Sequence, residues 1–197
     1  MITTRREFLT GGLCLGSALS LTSCGPPPQA PSFADIRFTG EPPLLLQAAQ
    51  IEVRTFYQPT DIDNAFPVSP VRALHNWARD RLRANGEGGP ARFTIADASA
   101  KITDLPVRGG ISGTFTDQAS QQYEVAIDAA LELFDVSGAM LRSARVTVSR
   151  SRSVLQSASA NDRDRVRYDL VRELMSDFDS QAQSRISAGF GSYLLSR

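Results

Sequence analysis

The chain has 197 residues, with 21 basic and 21 acidic side chains, a formal net charge of zero, one histidine and two cysteines. Neutrality argues against a nucleic-acid partner, which usually calls for a basic patch. The histidine and cysteine counts leave no His/Cys cluster at metal-ligand spacing and give a histidine-dependent triad only one candidate base, His75.

Residues 1–23 stand apart from the rest. Arg5 and Arg6 precede Glu7-Phe8-Leu9 and an apolar run over 11–21, which closes on Leu21-Thr22-Ser23-Cys24 ahead of Gly25 and three prolines. A basic start, an apolar middle and a small-residue exit describe a secretory signal rather than a structural element. The apolar run is interrupted by Gly11, Gly12 and Gly16 and falls well short of the about 20 residues a spanning helix needs. Thr4 to Leu9 resembles the bacterial twin-arginine signal, Ser/Thr-Arg-Arg-x-Phe-Leu-Lys, with Thr10 where lysine is usual. Arg5, Arg6, Phe8 and Leu9 are the residues that match it, and such signals are addresses read by a receptor.

Leu21-Thr22-Ser23-Cys24 resembles a bacterial lipobox. That resemblance implies cleavage between Ser23 and Cys24 and a diacylglycerol thioether, with further acylation, on the sulfur of Cys24. Gly25 stands where, in lipoproteins of the enteric type, an aspartate favours inner-membrane retention, so the resemblance favours the outer membrane. Removing residues 1–23, which carry Arg5, Arg6 and Glu7, leaves 174 residues with 19 basic and 20 acidic side chains. That is one domain by length, large enough to bury about 70% of its unfolded surface. Cys14 leaves with the signal and Cys24 is taken by lipid, so no disulfide is expected. Apart from that covalent lipid no cofactor or metal is expected.

Residues 24–48 carry Pro26, Pro27, Pro28, Pro31, Pro42 and Pro43. Proline fixes φ and removes donors, so this stretch reads as an extended, lipidated tether. Phe33, Ile36, Phe38 and Leu44 to Leu46 are candidates to dock its later part on the domain, which is expected to span 49–197. Alternation of Ile51, Val53, Thr55 and Tyr57 with Glu52, Arg54 and Phe56 predicts a strand over 49–57, followed by a polar turn. Ser69 as a cap, Pro70 at the first helical position and Asn85-Gly86 at the end delimit a helix. Its apolar stripe is Val71, Leu74, Ala78 and Leu82, with Trp77 beside it and His75 on its flank; Arg72, Arg79, Asp80 and Arg83 are assigned to solvent.

The turn Gly86-Glu87-Gly88-Gly89-Pro90 lacks the strand-to-helix context and the Lys-Ser/Thr ending of a phosphate-binding loop. Over 91–103 an alternating pattern changes phase: Phe93 and Ile95 are apolar at odd positions, Ala96, Ala98, Ala100 and Ile102 at even ones. A β-bulge near Asp97 reconciles them. Asp97 would otherwise point inward, where a carboxylate is costly unless paired, so it is a candidate polar site; bonding to nearby backbone amides is the plainer expectation. Residues 105–113 read as loop, with a short edge strand over 111–116.

A long hairpin follows. Tyr123, Val125, Ile127, Ala129, Leu131 and Leu133 share one face of a strand over 121–136, and Ala144, Val146 and Val148 share one face of its return over 141–154, around Ser137-Gly138. Matching the apolar faces restricts the register, and one permitted register sets Glu132 opposite Arg145. Arg150 and Arg152 continue the apolar phase of Val148; with Arg145 they are the nearest thing to a basic patch, and a solvated strand end is the expectation. Last comes a long amphipathic helix, capped by Ser159 or Asn161 and ended near Gly189 and Gly191. Val166, Leu170, Leu174, Phe178, Ala182 and Ile186 form its stripe, joined by Val171, Met175 and Tyr193. Arg163, Asp164, Arg167, Asp169, Arg172, Glu173 and Asp177 form the other face.

This order predicts an α+β two-layer sandwich: a mainly antiparallel sheet of four to five strands with two amphipathic helices on one face. In order of elements the mature part resembles small lipoproteins of proteobacteria, including auxiliary lipoproteins of envelope ABC-type transport systems. The resemblance implies a non-catalytic adaptor, assembly or transport-accessory role, with a membrane held through the lipid anchor and a protein partner in the envelope. The alternatives are a cell-wall-directed hydrolase, for which Asp61, Asp63 and Asp97 would have to supply two carboxylates, and a lipid- or ligand-carrying module.

Overall fold

The computed structural model describes residues 32–106 and 117–195. The strand expected over 111–116 lies outside them, as do Arg5, Arg6, Phe8, Leu9, Ser23 and Cys24. In chain order the elements are β1 (Leu44–Leu46), β2 (Ile51–Thr55), α1 (Asp61–Asn64), α2 (Pro70–Arg81), β3 (Leu82–Ala84), β4 (Ala91–Asp97), β5 (Ala100–Asp104), β6 (Ala119–Phe134), β7 (Met140–Leu155) and α3 (Ala160–Phe190), with a closing 3-10 turn at Gly191–Tyr193.

The sheet is built around β6. On one side β6 pairs antiparallel with β7 along its length; on the other its two halves pair antiparallel with β5 and then β4. Beyond β4 lies β2, parallel to it, as the β2-α2-β4 crossover requires. The strand expected over 91–103 is thus two strands, parted at Ala98-Ser99, and the predicted bulge lies just ahead of the break: register shifts between Ile95 and Asp97. Two-residue periodicity cannot survive an inserted residue, so apolar positions move from odd to even across it.

Both helices lie on one face of the sheet, as expected. Tyr123, Val125, Ile127, Ala129, Leu131 and Leu133 are all buried beneath them. Trp77 of α2, Phe93 of β4 and Phe178 of α3 meet at ring-centroid distances of 5.0 to 6.4 Å, a three-element contact at the centre of the core. The buried apolar residues described fall between Ile36 and Phe190. Each large one contributes about 1.5–3 kcal/mol relative to exposure. Ser159 caps α3 reciprocally with Asp162, and the helix ends at Gly191, whose φ of +48° suits a residue without a Cβ.

Further sequence expectations change. The helix over 70–85 stops at Arg81 and passes directly into β3, which pairs in parallel with β1; three residues of extended backbone win because Leu44 to Leu46 offer hydrogen-bonding partners. The polar turn after β2 contains the one-turn helix α1. The hairpin register sets Ala130 opposite Arg145 and Glu132 opposite Ser143; Arg145 reaches diagonally to Asp128, its Nε donating at 2.7 Å. Arg150 and Arg152 are not a solvated strand end. Arg150 Nε donates to Asp177 at 2.5 Å, and both guanidiniums reach Glu173 at 2.9 to 3.1 Å. These pairs strap β7 to α3, so the charges follow the apolar phase because α3 supplies carboxylates above them.

Candidate functional site

Beside the C-terminal end of β2 the surface opens into a cleft of about 620 Å³. One wall is the extended chain leaving β2: Thr55, Tyr57, Gln58 and Pro59. The other is α2, through Val71, Arg72, His75, Asn76 and Arg79, and Asp35 stands among the lining residues. The helix presents these groups because its opposite side is committed to the core, with Ala73, Leu74, Trp77 and Ala78 all buried. Positions 72, 75 and 79 are three and four residues apart, so Arg72, His75 and Arg79 share one helical face.

The extended wall is held by a single carboxylate. Asp63 is fully buried, and accepts from Tyr57 Oη at 2.5 Å, Thr60 N at 2.6 Å, Thr60 Oγ1 at 2.8 Å and Ala100 N at 2.8 Å. It therefore ties the segment after β2, the start of α1 and the start of β5 together. Burial alone would push its carboxyl upward; the hydrogen bonds from Tyr57, Thr60 and Ala100 outweigh that and hold it below the ordinary carboxylate value. Tyr57 is shifted the other way, by burial first and then by its bond to the Asp63 anion, so its phenol stays protonated well past the ordinary range.

The end of the cleft is set by docking of the chain ahead of β1. Asp35 pairs with Arg72 at 2.8 Å. Asp80 accepts from Arg37 Nε at 2.8 Å and NH2 at 2.6 Å and from Phe38 N at 2.9 Å, and Asn76 Nδ2 donates to Ile36 O at 3.3 Å. The Arg37 hydrogen bond, against the effect of burial, holds the Asp80 carboxyl below its usual value. Asp80, a solvent candidate by its place on the helix, is buried because residues 35–38 cover it. Ile36 and Leu46 are buried, Phe38 and Leu44 pack against the core, and the Phe33 ring lies 5.1 Å from that of Tyr168.

Within the cleft, Thr55 Oγ1 and His75 Nε2 are 3.1 Å apart, with donor and acceptor set by the imidazole tautomer. Arg72 is partly neutralised by Asp35. The Arg79 guanidinium is exposed and makes no hydrogen bond or ion pair to any described residue, although Asp80 feels its charge. The arrangement can hold an anion with guanidinium, imidazole and hydroxyl groups.

The carboxylates named from sequence do not line this cleft. Asp97 sits at the bulge and accepts from Ser99 Oγ at 3.1 Å rather than from backbone amides. Asp61 is exposed in α1. Asp63, with its roughly four lone-pair sites, has already accepted four hydrogen bonds. His75 and Trp77 take the structural roles open to them: a hydrogen-bonded helix-edge imidazole and a core indole whose Nε1 donates to Asp179 at 2.7 Å. Sequence reasoning missed Thr55, Tyr57, Gln58 and Asp35 as neighbours of α2. The signal within reach was the Arg72, His75, Arg79 spacing opposite the apolar stripe. Among the described residues no group of three or more His, Cys, Asp or Glu is placed to hold a metal, and no helix is long and apolar enough to cross a membrane.

No protein-family model and no curated protein sequence matches the chain. Among solved structures it is similar to a minor lipoprotein from Acinetobacter baumannii, at 14% identity over 74% of this chain and 94% of that one, with a TM-score of 0.38. It is also similar to the rare lipoprotein B from Shewanella oneidensis, at 13% identity over 71% and 95% with a TM-score of 0.36. A third is an uncharacterized lipoprotein B from Nitrosomonas europaea, at 17% identity over 78% and 94% with a TM-score of 0.38. Likeness at this level assigns neither a family nor a function.

Proposed function

We propose that the chain is an exported lipoprotein of the bacterial envelope, held to a membrane through lipid on Cys24, and that it works by binding rather than by catalysis. The observation that carries this reading is the order of motifs at the start: Arg5-Arg6 with Phe8-Leu9, an apolar run, then Leu21-Thr22-Ser23-Cys24. A secretory signal accounts for the first two parts, and a lipidated cysteine accounts for the break into proline-rich chain directly after Cys24. The outer membrane is favoured, since Gly25 is not a retention aspartate.

A binding role is supported by the cleft, whose guanidinium, imidazole and hydroxyl groups suit holding a ligand, while Asp63 beside it is spent on structure. On this reading the domain acts as an adaptor or transport-accessory component that meets a protein of the envelope.

Replacing the lipidated sulfur tests the anchor. Cys24→Ser is expected to abolish incorporation of labelled lipid and to accumulate the uncleaved precursor; a variant that is still labelled and cleaved overturns the anchor. The adaptor role is read by crosslinking in intact envelopes. The same protein partner is expected with the native chain and not with Cys24→Ser; recovery of no partner from the native chain overturns it.

A further inference from the structure

We infer that the cleft between β2 and α2 seats the anionic phosphate headgroup of a lipid in the membrane to which the chain is anchored, an inference that rests on the reading of Cys24. Three observations lead there. The first is charge. Arg72, His75 and Arg79 share one face of α2, the carboxylate lining the cleft, Asp35, is already bonded to Arg72, and Arg79 has no hydrogen-bonding partner among the described residues. An exposed guanidinium without a partner among the described residues, beside the hydrogen-bonded His75–Thr55 pair, whose remaining N–H or O–H can turn outward, suits the oxygens of a phosphate.

The second is size and lining. About 620 Å³ lies within the range of small-molecule sites, roughly 300–1,000 Å³. Pro59 and Val71 give the cleft apolar surface for glycerol and the first methylenes, which a site for inorganic phosphate would not need.

The third is the length of chain outside the described structure and where it ends. Ten residues separate Cys24 from Asp35, and the eleven steps between them, fully extended, reach about 36–40 Å. Asp35 itself lines the cleft, and Arg37 and Phe38 clamp the next residues to Asp80. The anchor therefore keeps the cleft within a short, bounded distance of lipid headgroups. Short linkers give effective concentrations in the millimolar range, so a site that binds one headgroup only at millimolar affinity is substantially occupied. A soluble phosphate has no such advantage.

The test uses the chain from Gly25 onward, which keeps every residue of the core. Its sedimentation with phosphatidylglycerol vesicles at millimolar lipid is compared with phosphatidylcholine vesicles and with inorganic phosphate as competitor. Binding to phosphatidylglycerol is expected, falling about tenfold in Arg79→Gln, the equivalent of about one charge-assisted hydrogen bond. Arg165→Gln, which removes an exposed charge from α3, is expected to leave binding unchanged. Equal sedimentation with phosphatidylcholine, or an equal loss in Arg165→Gln, overturns the proposal in favour of unspecific adsorption. Full displacement by inorganic phosphate at matched phosphate concentration overturns the lipid as the source. No binding at all also overturns it. Since this chain lacks Cys24, none of these outcomes depends on the anchor, which the Cys24→Ser labelling reads separately.

Discussion

Arg79 and Arg81 lie two residues apart on one helix and meet opposite environments. Arg81 is fully buried: its Nε donates to Asp179 at 2.7 Å, its NH2 to Gln183 at 2.8 Å, and its NH1 to the carbonyl of Pro42. Asp179 also takes the indole N–H of Trp77. Arg79, about 200° further round the helix, faces the cleft with no such partner among the described residues. The interior network joins α2, α3 and the segment ahead of β1, so its charges orient elements against one another. A buried pair of this kind is weak evidence for stability but a strong constraint on geometry. The cleft is the reverse case, where a charge left unpaired at the surface is available to something else.

The largest effect that would break this contrast is at Asp179. Asp179→Ala leaves the Arg81 cation buried without its counter-ion and is expected to cost about 3–5 kcal/mol in urea unfolding. Replacing both partners, as Arg81→Met with Asp179→Leu, is expected to cost clearly less, because no orphaned charge remains. If the double variant is as unstable as the single one, the cost lies in the lost hydrogen bonds to Trp77, Gln183 and Pro42 rather than in an orphaned charge.

Asp63 gives a smaller and pH-dependent effect. Asp63→Asn places an amide among groups that already donate, with an expected loss of about 1–3 kcal/mol. Because the folded carboxyl lies below its ordinary value of 3.8, the unfolded chain takes up the proton first as pH falls. The contribution of Asp63 is complete above that value and is lost as pH drops through the folded one. Urea titrations from about pH 7 to about pH 3 should show a smaller acid loss in Asp63→Asn than in the native chain. Equal slopes would mean that the other depressed carboxyls, Asp80, Asp128, Asp135 and Asp162, carry the effect.

The smallest expected effect on stability is at Arg79. With an exposed guanidinium and no hydrogen bond to lose, Arg79→Gln should leave the unfolding midpoint unchanged. A measurable loss would show that the residue belongs with Arg81 as a structural charge.

Legibility from sequence followed periodicity. The apolar faces of β6 and α3 repeat over many residues, and Ser159 and Gly191 mark the helix ends by their own chemistry, so these elements were readable without partners. The bulge near Asp97 was readable because the pattern itself changes phase. The register of the hairpin was not, since alternation restricts it only to steps of two residues. The cleft was the least legible part. Arg72, His75 and Arg79 could be placed on one helix face, but Thr55 and Tyr57 become their neighbours only through the β2-α2 packing.

By itself, then, the sequence determined the α+β class and the two helices on one sheet face, because each is written in local composition and period. The fates of individual charges were decided only by the tertiary structure. Asp80 and Arg81 turn inward, Arg150 and Arg152 find α3, and Arg79 stays at the surface with no hydrogen-bonding partner among the described residues, because a charge is placed by the partner that desolvation makes it need. That partner comes from a distant part of the chain.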